Sequence, residues 1–151
     1  MEVTCEEAWV QPGKFHEAKV TNAPCVSVWG TGQARREFLH VADLADACVH
    51  VMRLGQDVYV THTQPMLFHI NIGTGTDVTI RALAELVREV VGFEGNIAFD
   101  PRKPDGALRK LLDVSRLRAL GWQPCLAHRE GLDAGPRSRI AWEADTQRRK
   151  P

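Results

Sequence analysis

Apolar residues recur at helical spacing most clearly between residues 79 and 92, where Ile80, Leu83, Ala84, Val87, Val90 and Val91 share one face. Thr79 can cap the start of that segment and Gly92 can stop it, which predicts a helix over 79–91. A second stripe, Leu44, Ala47, Cys48, Val51 and Met52, predicts a helix over roughly residues 43–54, with Asp43 and Asp46 in its first turn and Cys48 as a small core residue. Short apolar runs bounded by turn residues predict strands at Cys25–Trp29, closed by Gly30-Thr31-Gly32, and at Phe38–Val41. The same signal predicts a buried strand at His69–Ile72, closed by Gly73-Thr74-Gly75, and another at Asn96–Phe99 that runs into the charged loop Asp100–Gly106. Asp113 can cap a short helix whose Val114, Leu117 and Leu120 face inward and whose C-terminal glycine is Gly121.

The two ends lack such order. Residues 1–13 show no sustained period, and Gln11-Pro12-Gly13 interrupts any helix begun before it. Residues 133–151 hold few aliphatic side chains and a Gly135-Pro136 breaker, so a poorly ordered tail or a weak helix ending near Trp142 is expected. With 151 residues, one compact domain fits, and a nucleotide-binding domain of ordinary size plus a separate substrate domain does not.

Charge changes the picture modestly. The formal net charge is zero, with 19 Lys+Arg against 19 Asp+Glu, which argues against a mainly electrostatic nucleic-acid binder and against a polybasic membrane protein. No run is apolar enough to span a bilayer and the first twenty residues lack a signal-peptide core, so a cytoplasmic chain is the expectation. The even total conceals an acidic first hundred residues and a basic remainder, part of it the terminal Arg148, Arg149 and Lys150. The four cysteines have neither zinc-knuckle nor Cys-x-x-Cys spacing.

Two segments concentrate groups able to hold a nucleotide. Trp29 to His40 places an aromatic ring, a glycine turn, Arg35, Arg36 and a histidine within twelve residues. The ring can stack on a base or cover a sugar, and a guanidinium can grip a phosphate through two parallel bonds. Equally, Trp29 can be a core or edge aromatic and the arginines surface charge. The second segment is Arg102-Lys103-Pro104-Asp105-Gly106 with Arg109-Lys110 behind it: cations on a loop after a strand suit a diphosphate, and Asp105 can accept from hydroxyls or a base. It can also be a solvated loop. Gly73-Thr74-Gly75 is neither a dinucleotide fingerprint nor a Walker loop and reads as a tight turn. The six histidines contain no His-Glu-x-x-His, there is no Gly-x-Ser-x-Gly elbow, and Tyr59 has no Lys four residues on, so neither a metal site nor a catalytic residue is assigned; His62 and His69 read as ordinary loop and strand residues.

Taken in order, Phe15-His16-Glu17-Ala18, Asn22-Ala23-Pro24, Val28-Trp29-Gly30-Thr31-Gly32, Arg36-Glu37-Phe38-Leu39-His40-Val41, Thr63-Gln64-Pro65-Met66, His69 to Gly75, Lys103-Pro104-Asp105-Gly106 and Arg109 to Val114 closely resemble the C-terminal half of the GDP-L-fucose synthase family. These are bifunctional epimerase/reductases of the extended short-chain dehydrogenase/reductase superfamily, and the resemblance covers residues 14–122. It implies an α/β, Rossmann-type substrate-binding part, without the N-terminal cofactor-binding core. It further implies conversion of GDP-4-keto-6-deoxy-D-mannose to GDP-L-fucose by epimerisation at two carbons and reduction of the ketone with NADPH, in a homodimer. Lys14, Trp29, Arg36, Lys103 and Asp105 then fall at substrate-binding positions. The implied organisation is a divergent segment over 1–13, a GDP-sugar-binding domain over 14–132 and a divergent tail over 133–151.

Departures from the family pattern bear on activity. Neither the glycine-rich cofactor fingerprint nor Tyr-x-x-x-Lys occurs in this sequence, so no NADPH site and no turnover by this chain alone are expected. Counting eight residues back from Lys14, where the family has an acid/base histidine, reaches Glu6 in a segment that does not resemble the family. A truncated, displaced or frame-changed start is the expected origin of that segment. Past Trp122 only Ala127–Leu132 keeps the opening of the family's last helix. The expected functions are therefore a fragment of such an enzyme, a GDP-sugar-binding module working with a separately encoded Rossmann half, or a non-functional remnant. Exposed apolar helix faces and marginal stability are expected for the chain alone, because a parallel-sheet fragment cannot cover both its sides.

Overall fold

The structure, a computed structural model, describes residues 6–8, 10, 12–64 and 66–126. The expected tail at 133–151, with Gly135-Pro136, and the stretch 127–132 lie outside the described residues. Among the described residues the fold is α/β and Rossmann-like, built on two small sheets. The first is wholly parallel, in the order β1 (Glu6–Ala8), β2 (Cys25–Trp29), β5 (Asn96–Asp100). The second is mixed: β3 (Arg35–Arg36) is antiparallel to β4 (Val78–Thr79) and parallel to β6 (Arg109–Lys110). The helices are α1 (Pro12–Val20), α2 (Val41–Met52), α3 (Gln56–His62), α4 (Ile80–Val91) and α5 (Ser115–Ala119).

Register explains the main core. Val26 pairs with Ile97 and Val28 with Phe99, so alternate residues of β2 and β5 project to one face. There they meet Phe15 and Ala18 of α1, Leu83, Ala84 and Val87 of α4, and Phe93. Phe15 and Phe93 pack edge to face with centroids 6.0 Å apart. The expected helix over 79–91 is present one residue shorter. Thr79 Oγ1 accepts the Ala82 N–H at 3.1 Å, and Gly92 closes the helix in the left-handed region at φ 68°. The strands expected at 25–29 and 96–99 are also present, the second extended to Asp100. The short helix with Val114, Leu117 and Leu120 buried is α5, where Asp113 Oδ1 accepts the Ser115 N–H.

Elsewhere several expectations fail. A helix over Pro12–Val20 was not expected; Pro12 opens it, since its fixed φ and missing N–H suit the first helical position. Only Phe15 and Ala18 of α1 are buried, too sparse a stripe to show a period. The extended piece expected at 38–41 is displaced to Arg35–Arg36, because His40 Nδ1 accepts the Ala42 N–H and starts α2 at Val41. Asp46 consequently falls outside the first turn. Cys48, expected in the core, is exposed, as is Cys125, whereas Cys25 is buried and disulfide-bonded. Helix α3 was not expected; it buries no residue, and it carries His62, read as a loop residue. His69–Ile72 forms no strand. Its chain is held by side chains, with Arg116 donating to the Leu67 and His69 carbonyls and Asn71 to that of Asp113. Ile70 and Ile72 pack on a second, thin core of Ala47, Leu117 and Trp122.

The expected exposed apolar face is on α2, where Val41 is 72% and Met52 75% accessible. Among the described residues no helix is long and apolar enough to cross a membrane.

Candidate functional site

Where β2 ends, its last residue Trp29 opens onto a cavity of about 210 Å³ lined by Trp29, Ala34, Arg36, Phe38, Pro104 and Asp105, with Val28, Ile80 and Leu83 beneath. The chain reaches it by a turn at Gly30 that no other residue type fits: its φ is +83°, and a Cβ would collide with the Asp105 carboxylate. That carboxylate reaches back over the turn. Its Oδ1 accepts the Thr31 N–H and its Oδ2 the Thr31 hydroxyl, both at 2.7 Å. These bonds, the hydroxyl first and the amide second, hold the Asp105 carboxyl below its ordinary value, with the Arg36 charge contributing least.

Arg36 is half-buried on β3 and uses its guanidinium on the backbone. Nη1 donates to the Arg35 and Ala107 carbonyls, each at 2.7 Å, and Nη2 to the Asp105 carbonyl at 3.2 Å. The guanidinium thereby grips the loop that carries Asp105. Lys103 places its ammonium 5.0 Å from the centre of the Trp29 ring. Arg102 chelates Asp100 through Nε and Nη2, at 2.8 and 3.0 Å, and the guanidinium bonds lower the Asp100 pKa. Four of the five expected site residues, Trp29, Arg36, Lys103 and Asp105, therefore stand together. Lys14 does not line the cavity; it sits on α1, 3.4 Å from Glu17.

Three polar residues organise the surroundings and were not singled out as site residues from the sequence. The sequence marks Thr31 only as part of a turn. Glu37 accepts the Gly75 N–H at 2.6 Å and the Thr74 hydroxyl at 3.2 Å through Oε1, and the Leu112 N–H at 2.9 Å through Oε2. Asp77, its side chain 3% accessible, joins Arg35 on β3 to Arg109 on β6, and those two guanidiniums lower its pKa. A carboxylate following Arg35-Arg36, with a Gly-Thr-Gly turn downstream, was the available signal for Glu37; its partners are 37 or more residues away.

Glu37 also decides whether the described residues fit a dinucleotide. A pyrophosphate needs free amides at a glycine turn that opens a helix. At Gly73-Thr74-Gly75 the Gly75 amide is held by a carboxylate, and a Cβ at Gly73 would strike that same group, so a phosphate there would meet like charge. The Gly30–Gly32 turn leads into β3 and not into a helix. Neither turn fits NADPH. No group of three or more His, Cys, Asp or Glu among the described residues could hold a metal ion.

Residues 13–73 match the NAD dependent epimerase/dehydratase family. The chain is similar to the GDP-L-fucose synthase of Escherichia coli (strain K12), with 53% identity over 136 residues, covering 90% of this chain and 41% of that protein. With GDP-L-fucose synthase 1 of Arabidopsis thaliana the identity is 57% over 119 residues, covering 79% of this chain and 34% of that protein. Among solved structures, the GDP-mannoheptose C4 reductase of Campylobacter jejuni, with NADP bound, superposes with a TM-score of 0.68 at 30% identity, over 85% of this chain and 45% of that one. A Naegleria fowleri GDP-L-fucose synthetase bound to NADP gives 0.70 at 18% identity, over 91% and 40%, which speaks for the fold. The chain thus matches GDP-L-fucose synthases over part of its length, and spans 41% or less of the two curated relatives described.

Proposed function

We propose that this chain is the C-terminal, GDP-sugar-binding half of a GDP-L-fucose synthase-type epimerase/reductase, and that it binds GDP-4-keto-6-deoxy-D-mannose or GDP-L-fucose without turning either over by itself. The observation that carries the reading is the convergence of Trp29, Arg36 and Asp105 on one cavity, with Lys103 held over the Trp29 ring, from segments up to 76 residues apart. In this reading Trp29 covers an apolar face of the nucleotide sugar and Lys103 supplies charge for the diphosphate. Arg36 shapes the strap and keeps its remaining donors for a phosphate oxygen. Hydride transfer is assigned to no residue here: NADPH belongs on a Rossmann half, whether joined to this segment or separate. The exposed apolar side chains of α2, Val41, Leu44 and Met52, favour such a half as their cover.

Calorimetric titration with GDP tests binding: heat at millimolar ligand or below, weakened by Arg36→Ala and left alone by Arg148→Ala, is the expected result. No heat at millimolar GDP, or equal effects of the two substitutions, would remove it. NADPH oxidation with the keto-deoxymannose substrate, run with and without an added N-terminal half, tests the division of labour. Oxidation by this chain alone would sink that part of the reading.

A further inference from the structure

We infer that Thr31 is a positioning residue for the nucleotide site, holding the strap 101–107 as a ready-made wall of the cavity by means of Asp105. The inference rests on the GDP-sugar reading above and assigns a role to a residue outside the expected set. Both donors of Thr31 go to one carboxylate, one to each oxygen, at 2.7 Å. The direction of the hydroxyl is fixed as well, because its oxygen accepts the Gln33 N–H at 3.2 Å and so turns its proton toward Asp105. On the other side Thr31 is anchored to the main core: Arg81 Nη2 donates to the Thr31 carbonyl at 3.0 Å while its guanidinium lies 3.9 Å from the centre of the Phe99 ring. Thr31 is therefore a link, through both of its donors, between a packed helix and strand and an otherwise irregular strap.

The strap needs such a link. Residues 101–107 contain no regular helix or strand, and besides Thr31 they are tied by the Arg36 bonds to the Asp105 and Ala107 carbonyls, by the Gly32 amide to the Asp105 carboxylate, and at their start by Arg102 and the Lys103 amide to Asp100. Latched, the strap sets Pro104 and Asp105 into the cavity wall and Lys103 over Trp29. Unlatched, those residues would have to be ordered at the moment of binding, at the expense of affinity. Asp105 acts, in this account, through its bonds to Thr31 and not as an acceptor for the ligand.

Hydrogen exchange and GDP calorimetry on the full chain, applied to Thr31→Val, Thr31→Ser and Asp105→Asn, test this. Without ligand, Thr31→Val and Asp105→Asn should speed exchange of the 101–107 amides by about tenfold, the scale of one charge-assisted bond, with α4 unchanged as the folding control. GDP affinity should fall by about tenfold in Thr31→Val, recover in Thr31→Ser, and fall no further when Thr31→Val and Asp105→Asn are combined. Unchanged strap exchange in Thr31→Val overturns the latch. Faster exchange with undiminished GDP affinity overturns the positioning role. No GDP heat from the unsubstituted chain overturns the binding reading and Thr31's role with it, while the exchange data still report separately on whether Thr31 holds the strap.

Discussion

The parallel sheet with α1 and α4, and the layer of α2, α3 and α5, are assembled on different principles. In the first, eight buried residues from four segments interlock, with Phe15 and Val26 fully inaccessible. In the second, among the described residues, only Ala47, Leu117 and Trp122 form a buried cluster, and polar ties add to it. Asp43 accepts the Cys125 and Leu126 amides, the Trp122 indole donates to Asp46 at 2.8 Å, and His50 Nε2 donates to the Leu120 carbonyl at 2.9 Å. Apolar burial resists water from all sides, whereas single hydrogen bonds at a surface contribute little net stability. The candidate site lies at the edge of the well-packed region, with its strap joined to that region through Thr31 and Arg36.

The comparison breaks most severely at Phe15. Phe15→Ala should lower the unfolding free energy in urea by about 3–5 kcal/mol, since a fully enclosed ring leaves a cavity that cannot collapse. Leu117→Ala, in the thinner core, should lose about 2–3 kcal/mol, and hydrogen exchange should place the loss in α2 and α5 while α4 keeps its protection. An equal loss in both regions would mean that they unfold as one.

Asp77, in the small sheet, gives a pH test. Its pKa lies below the ordinary 3.8 because Arg35 and Arg109 bond its carboxylate. A carboxylate depressed in the folded state adds stability above its unfolded value, and that contribution is lost as pH falls through the folded one. Asp77→Asn should therefore lower the urea midpoint near neutrality, and the gap from the unsubstituted chain should close as pH drops below 3.8. A gap that stays constant to the lowest pH would contradict the ion-pair account. The smallest effect belongs to the exposed face: Met52→Ser should shift stability of this chain by no more than about 0.5 kcal/mol. The same substitution should weaken association with an added Rossmann half, read by size-exclusion chromatography.

Helix α4, strands β2 and β5 and helix α5 were legible from the chain because each announces itself locally. Thr79, Gly92, Asp113 and Gly121 mark ends by backbone chemistry that needs no distant partner. Trp29, Arg36, Lys103 and Asp105 were legible as residue types able to hold a nucleotide, in a motif order that resembles one family's. Their partners were not. That Asp105 is held by Thr31, that Arg36 grips carbonyls 69 and 71 residues away, and that Glu37 fills the Gly73–Gly75 turn all depend on which strands pair.

The sequence by itself determined where α4 and α5 begin and end and which faces of α2 and α4 are apolar, because caps, glycines and hydrophobic period act within a few residues. Only the tertiary structure decided that the stripe on α4 is buried and the one on α2 is open, that Cys48 faces water, and that His69–Ile72 pairs with no strand. Burial and hydrogen-bond partnership are properties of what stands opposite, and in this chain what stands opposite is drawn from dozens of residues away.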